Sequence, residues 1–365
     1  MHRRTFLQAS LAAMTTAPLF AALRQQQLDE AATILHNAVT SGQVTAASIF
    51  VSQRQLAFMR AFGTAPDINA MFLLGSISKP ICMTALMTLF DRGEFKLSDP
   101  LQKFIPQFQG DGREQVTMQH LLTHTSGLPD QLPENDALRA KHAPLTEFAD
   151  HATRVPLGFT PGTKYSYASM GILLAARVAE LISGMDILTL VDRTVLQPLG
   201  MTRSAQGLGR FAITDFVPVQ TDRAAPEAGG GDASAKNWDW NSPYWRKLGA
   251  PWGGTHCSAP DIAKFLGEFL NEQGKVVKPA TASLMTTNHN PPGLESRGLG
   301  FDVGPAASSP GCSDKTFGHT GSTGTIAWAD PATQTTCVIL TSLPARAITP
   351  HPRDLASTKV AAAVN

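Results

Sequence analysis

Net charge of either sign and long hydrophobic runs are both lacking in this sequence. Its 30 lysines and arginines are balanced by 29 aspartates and glutamates, which leaves a formal net charge of +1. Such a balance excludes the strongly basic surface expected of a protein that binds nucleic acid or an anionic membrane. No run of 18 apolar residues follows the N-terminus, so we predict no membrane span.

Cysteine is scarce as well, and it indicates no metal site. Four cysteines are present: Cys82, Cys257, Cys312 and Cys337. Their spacing matches no zinc pattern. The sequence alone does not decide whether Cys312 and Cys337 form a disulfide. His120 and His124 have the four-residue spacing of a zinc pair, but leucine follows His120 where the zinc motif has glutamate. We therefore predict no metal and no cofactor.

The N-terminus has the features of an export signal. Arg3 and Arg4 precede Phe6-Leu7, and a weakly apolar stretch continues to Ala22. This order is typical of a secretory signal of the twin-arginine type. We expect residues 1–22 to be cleaved and residues 23–365 to act in the periplasm or outside the cell.

Hydrophobic periodicity changes twice along the chain. Strand-like runs come first, helical spacing starts near residue 76, and strand-like runs return after residue 300. This order predicts an α+β fold, in which both chain ends (28–75 and 250–365) build an antiparallel sheet flanked by helices. A mainly helical lobe (76–249) is inserted between them. Its least regular part, 226–254, holds four of the five tryptophans; such a loop either covers a cleft or fills the space beneath itself.

The segment Ser76-Ile77-Ser78-Lys79 carries the first sign of chemistry. Its spacing places Ser76 and Lys79 on one face of the first turn of a helix, where free N–H groups stabilise an oxyanion. A serine hydroxyl is a weak nucleophile until a base takes its proton. Because burial lowers the pKa of a lysine, we predict that Lys79 is that base and Ser76 the nucleophile.

Two further segments add groups that this chemistry needs. Tyr165 and Tyr167 fall within Pro161–Ser169, and a tyrosine beside a cation ionises more readily and can relay a proton. Residue chemistry does not choose between these two tyrosines. The glycine-rich run Gly318–Gly324 directly precedes a strand-like run, so its backbone N–H groups are predicted to complete an oxyanion hole.

Together the three segments resemble the motifs of serine β-lactamases and penicillin-binding proteins. Leu121–Leu128 and Pro198–Met201 are similar to signatures of the class C-like branch, which includes carboxylesterases, D-alanyl-D-alanine carboxypeptidases, D-amino-acid peptidases and β-lactamases. The likeness covers nearly all of the chain after the signal. It implies that Tyr167 is catalytic, because Tyr167-Ala168-Ser169 matches the Y-x-N triplet of the branch. It also implies that the N–H groups of Ser76 and Ser322 form the oxyanion hole.

The resemblance assigns substrate binding to four residues: Ser169, His319, Thr320 and Gly321. Two of them depart from the family pattern, since Ser169 replaces an asparagine and His319 replaces the lysine of K-T-G. A histidine with a pKa of about 6.5 is only partly charged at pH 7, so it holds a carboxylate less firmly than lysine does. Both departures weaken the case for a β-lactamase.

We therefore predict a serine hydrolase that forms an acyl-enzyme on Ser76 and acts on a small ester, amide or peptide. An esterase is the first hypothesis. The alternatives are a D-alanyl-D-alanine carboxypeptidase or D-amino-acid peptidase, and after them a β-lactamase. A non-catalytic binding module on the same scaffold is disfavoured because Ser76, Lys79 and Tyr167 are all present.

Overall fold

The computed structural model describes residues 24–364. The predicted export signal lies outside these residues. Helices in the described part are α1 (Gln25–Thr40), α2 (Ser78–Asp91), α3 (Met118–Leu122), α4 (Asn135–Ala140), α5 (Leu145–Ala152), α6 (Ser169–Ser183), α7 (Ile187–Val191), α8 (Pro243–Leu248), α9 (Ala259–Leu270), α10 (Pro279–Met285) and α11 (Pro352–Ala363). Strands are β1 (Ala46–Gln53), β2 (Leu56–Gly63), β3 (Phe72–Leu73), β4 (Ser204–Gln206), β5 (Thr255–Cys257), β6 (Asp302–Val303), β7 (Phe317–Gly321), β8 (Thr325–Asp330) and β9 (Thr335–Thr341).

The main sheet has six strands in the order β2-β1-β9-β8-β7-β6, and every neighbouring pair is antiparallel. Two strands come from the N-terminal part and four from the C-terminal part, so the predicted sheet built from both ends is confirmed. The long central insertion is mainly helical, also as predicted. No helix within residues 24–364 is long and apolar enough to cross a membrane.

Alternation along the strands explains why this sheet is covered on both faces. In β8, Ile326 and Trp328 point into a cluster formed with α1 and α11, whereas Ala327 and Ala329 point into the larger core on the other face. Successive side chains of a strand alternate between faces, so each strand contributes to both cores. Helix α9 packs against the sheet within the larger core.

Helix α2 runs through the middle of the molecule. It contacts α6 and α7, and eleven of its fourteen residues are buried, including the polar residues Ser78, Lys79 and Thr84. A helix that is apolar nearly all round is stable only when other elements surround it. The start of α2 therefore lies at a fixed place beside the sheet.

Three local features differ from the sequence-based expectation. Strand β7 includes part of the glycine-rich run, for which no strand was predicted, and β3, β5 and β4 form a second, three-stranded sheet. The sequence predicts a hairpin turn over Ser52–Gln55, but the turn between β1 and β2 is shorter: only Arg54 and Gln55 lie outside the strands, and Arg54 has a φ of 56°. Helices α4, α8 and α10 are too short for a periodic pattern to reveal them.

Candidate active site

Ser76 lies in a short 3-10 turn that leads directly into α2. Two threonines of the β7–β8 hairpin fasten the chain before this turn: Thr323 Oγ1 donates to Leu73 O (2.7 Å) and Thr325 Oγ1 donates to Leu74 O (2.6 Å). Buried side-chain to backbone bonds of this kind fix the path of a loop. The serine is thus held against the sheet before the helix begins.

The backbone before Ser76 and the backbone at the end of β7 lie so close together that only glycine fits at positions 75 and 321. A Cβ atom on Gly321 would lie 2.1 Å from Leu74 O, and one on Gly75 would lie 3.1 Å from the Ser322 nitrogen. The Ser322 amide thus lies close to Gly75, the residue before Ser76, and the oxyanion hole formed by the N–H groups of Ser76 and Ser322 stays a prediction. Gly321 packs against Leu74 and is not among the residues that line the two cavities at the site, so its substrate contact stays a prediction.

Lys79 is completely buried at the start of α2. Its Nζ donates to Ser76 Oγ (3.0 Å) and to the carbonyl oxygen of Trp252 (3.1 Å). Burial lowers the pKa of Lys79 to about 7, against the opposing effect of the Asp130 carboxylate and with a smaller lowering from Arg297. A lysine with this pKa is substantially neutral near pH 7, so it can accept the serine proton.

The structure places Tyr167, rather than Tyr165, beside both Ser76 and Lys79. Lys79 Nζ lies 4.6 Å from the centroid of the Tyr167 ring, and the Ser76 hydroxyl interacts with the Tyr167 hydroxyl. The expectation that a cation makes this phenol ionise readily is wrong. Burial outweighs the lowering by Arg297 and raises the pKa of Tyr167 above its usual range, so at neutral pH it is a proton donor. Tyr165 interacts with Arg297 instead.

His319 is 3% exposed on β7, and it binds Arg297. An arginine only donates, so His319 Nε2 accepts from it (2.8 Å) and the proton of the imidazole resides on Nδ1, which donates to Thr320 O (2.6 Å). Burial, followed by the charges of Arg297 and Lys79, lowers the pKa of His319 well below its ordinary value. The expected near-ordinary pKa is therefore wrong, and this histidine is neutral.

The fixed charge near His319 belongs to Arg297, which sequence reasoning missed. Its guanidinium is buried and forms an ion pair with Asp302 of β6. The positive charge at this place is thus compensated within the protein. No local pattern identifies Arg297, because it lies in an irregular segment and only β6–β7 pairing brings it to His319.

Ser169 begins α6 and binds the carboxylate of Asp130. Its backbone N–H and its hydroxyl donate to the same oxygen of Asp130, over 3.1 Å and 2.5 Å. The serine thereby holds in place a carboxylate that raises the pKa of Lys79. Ser169 still lines a cavity beside Ser76, so a substrate contact is compatible with its position.

Two cavities open beside the candidate nucleophile. One of about 200 Å³ lies under the tryptophan-rich segment and is lined by Ser76, Asp130, Glu227, Trp240, Trp245 and Trp252, among others. The other, of about 420 Å³, is lined by Ser76, Tyr165, Tyr167, Arg297, His319 and Thr320, among others. The segment 226–254 thus covers the cleft with three of its indoles. Within residues 24–364, no group of three or more His, Cys, Asp and Glu residues is placed to hold a metal ion.

Comparison with known proteins agrees with this arrangement. A protein named "Esterase EstB" from Burkholderia gladioli is 33% identical over 53% of this chain and 51% of its own length, so the chain matches about half of that relative. A protein named "Putative D-alanyl-D-alanine carboxypeptidase" from Escherichia coli (strain K12) is 23% identical over 94% of this chain and 91% of its own.

Solved structures show the same fold. EstCE1, titled "a hydrolase with promiscuous acyltransferase activity", superposes with a TM-score of 0.73 and 19% identity over 92% of this chain and 99% of its own. The family described as Beta-lactamase matches residues 31–357. The chain therefore belongs to the beta-lactamase family, and it is a serine hydrolase of that superfamily.

Proposed function

We propose that this protein is an esterase in which Ser76 forms the acyl-enzyme and Lys79 is the base. One observation carries the proposal: Lys79 Nζ lies 3.0 Å from Ser76 Oγ, and burial holds its pKa at about 7. Donor and acceptor are at the distance that proton transfer needs, and the base is free near neutral pH.

Acylation then proceeds in balanced steps. Neutral Lys79 takes the Ser76 proton as Oγ bonds to the ester carbon, and the N–H groups of Ser76 and Ser322 hold the oxyanion. When the intermediate collapses, the bond between carbon and the alkoxy oxygen breaks. The leaving alkoxide takes a proton from the Tyr167 hydroxyl, which the Lys79 ammonium restores.

Deacylation reverses these roles. Water attacks the acyl carbon and gives its proton to neutral Lys79, and the tetrahedral intermediate expels Ser76 Oγ. The serine recovers its proton from Lys79, so the carboxylic acid leaves and the enzyme returns to its first state.

Charge at the site favours a neutral ester over an anionic peptide. His319 is neutral, and the guanidinium of Arg297 is paired with Asp302. A substrate carboxylate would have to compete with Asp302 for that guanidinium, which costs the energy of a buried pair. A D-alanyl-D-alanine carboxypeptidase is the second candidate, because Arg297 lines the larger cavity. A β-lactamase comes third.

A panel of three substrates tests the proposal. We expect turnover of short 4-nitrophenyl esters, little release of D-alanine from a D-alanyl-D-alanine peptide, and slow hydrolysis of a chromogenic cephalosporin. Faster turnover of the peptide than of the esters would make the second candidate the function.

The pH dependence follows from Lys79. Since its neutral form is the base and its pKa is about 7, kcat/KM for a neutral ester should rise with pH through about 7 and then level off. His319, with a pKa well below its ordinary value, should add no second limb between pH 5.5 and 7. Rates measured from pH 5.5 to 8.5 check both statements.

The variant Asp130→Asn tests whether the pKa of Lys79 governs the pH dependence of kcat/KM. The Asp130 carboxylate raises the pKa of Lys79, so its neutral replacement should move the acidic limb to lower pH. A limb that stays in place, or moves up, would mean that another group governs the profile.

We further propose that the protein is exported, on the strength of the Arg3-Arg4 pair alone. Replacement of both arginines by lysine should leave the precursor in the cytoplasm, because the twin-arginine route requires the pair. Cell fractionation followed by immunoblotting measures this. Undiminished export of the lysine variant would indicate the general secretory route.

A further inference from the structure

His124 is a buried residue to which the proposed mechanism gives no role. It follows the end of α3, has a left-handed φ of 58° and is 0% exposed. Glycine usually occupies such a position after a helix, because a side chain there is strained. A histidine in this conformation has to be held by its own contacts.

Those contacts converge on Tyr167. The carbonyl oxygen of His124 accepts from the N–H of Ser166 (2.9 Å), and its Nδ1 accepts from the N–H of Ala168 (3.1 Å). The residues on both sides of Tyr167 are thus bound to one histidine. The His124 ring also lies against the Tyr167 ring, with 4.6 Å between their centroids.

The arrangement requires a neutral imidazole. Nδ1 accepts a backbone N–H, so the single ring proton is on Nε2, for which no hydrogen-bond partner is found within residues 24–364. Burial first, and then the charges of Arg297 and Lys79, lower the pKa of His124 well below its ordinary value. The acceptor at Nδ1 is therefore retained throughout the working pH range.

We propose that His124 is a positioning residue that fixes the Tyr167 hydroxyl between Ser76 and Lys79. The inference rests on the proposed function, since it concerns the proton path of that reaction. His124 touches no reacting atom; it acts through the backbone and the ring of Tyr167. A displacement of the order of 1 Å at a catalytic group lowers a rate by up to about 10²-fold.

Two substitutions at position 124 distinguish the contribution of the His124 side chain from that of its left-handed backbone conformation. His124→Gly keeps the left-handed conformation and the carbonyl contact to Ser166, but it leaves the Ala168 N–H without its acceptor. His124→Asn also tolerates the left-handed conformation, and its Oδ1 can replace Nδ1 as acceptor. Leu35→Ala, at a buried position of α1 in the smaller core, destabilises the protein without touching the site.

The first readout is kinetic, with 4-nitrophenyl acetate and active sites titrated with a fluorophosphonate. We expect His124→Gly to lower kcat per titrated site by about 10–100-fold while KM changes little. His124→Asn should stay within about threefold of the wild type. Leu35→Ala should lower the melting temperature but not kcat. In His124→Gly, water that reaches Lys79 should raise the pKa of this lysine, so the acidic limb of the kcat/KM profile should move above pH 7.

The second readout does not depend on activity. The chain has three tyrosines, so ultraviolet titration with Tyr167→Phe as reference identifies the Tyr167 phenol. In the wild type the pKa of this phenol should lie well above its ordinary value of about 10, and in His124→Gly it should fall toward that ordinary value. Wild-type kcat together with an unshifted phenol in His124→Gly would overturn the inference. A wild type that hydrolyses no ester, but whose phenol shifts in His124→Gly, would instead remove the proposed function and leave the placement of Tyr167 intact.

Discussion

Ser76→Ala is expected to lower kcat for a 4-nitrophenyl ester by a factor of about 10⁴–10⁶, because loss of the nucleophile removes the covalent route altogether. The fold should persist, since the hydrogen bonds found for the Ser76 hydroxyl in the described part of the chain are those with Lys79 and Tyr167. Steady-state rates with an active-site titration measure this, and the circular dichroism spectrum should be unchanged.

Ser78→Ala is the control for that loss. Ser78 begins α2 two residues after the half-buried Ser76; it is fully buried, and its hydroxyl accepts from the Thr255 N–H (2.9 Å). Its replacement should cost about 1–3 kcal/mol of unfolding free energy, the usual penalty for a buried donor without a partner. Its kcat should remain within about tenfold of the wild type. Equal losses in both variants would mean that Ser76 acts through structure rather than as the nucleophile.

Loss of the proton path has the next largest effect. Lys79→Met and Tyr167→Phe should each lower kcat by about 10²–10⁴, the contribution of a positioned general acid or base. The double variant should lose much less than the product of the two, because both groups serve the same proton transfers. Methionine fills the buried site of Lys79 without its amine, so the melting temperature should not fall.

Tyr165→Phe is the matched control for the tyrosine. Tyr165 lines the same cavity as Tyr167 but interacts with Arg297, which is paired with Asp302. Its kcat should be close to that of the wild type. A large loss from Tyr165→Phe with little loss from Tyr167→Phe would reverse the assignment of the two residues.

The sequence predicted the parts of the site that neighbouring residues determine. Ser76 and Lys79 are three residues apart at the start of a helix, so local geometry alone brings them together. Strands β1, β2, β8 and β9 of the main sheet were also predictable from local sequence, since their alternating residues face two cores. Their approximate bounds followed from that alternation.

Strand β7 could not be predicted from local preference, because glycine is unfavourable in strands. A Cβ atom on Gly318 would lie 2.2 Å from the Ala327 carbonyl oxygen, so close packing of the hairpin excludes any larger residue. Tertiary contact therefore overrides propensity here. The same holds for Arg297, whose charge adds to burial in lowering the pKa of His319 only after β6 and β7 have paired.

The most direct test of the central claim is to map where an acylating reagent binds. The protein is treated with a fluorophosphonate at pH 8, digested, and analysed by tandem mass spectrometry. We expect one adduct per chain, on Ser76, that is absent from Ser76→Ala, retained in Ser78→Ala and formed far more slowly in Lys79→Met. An adduct on any other residue, or labelling that persists in Ser76→Ala, would contradict the account.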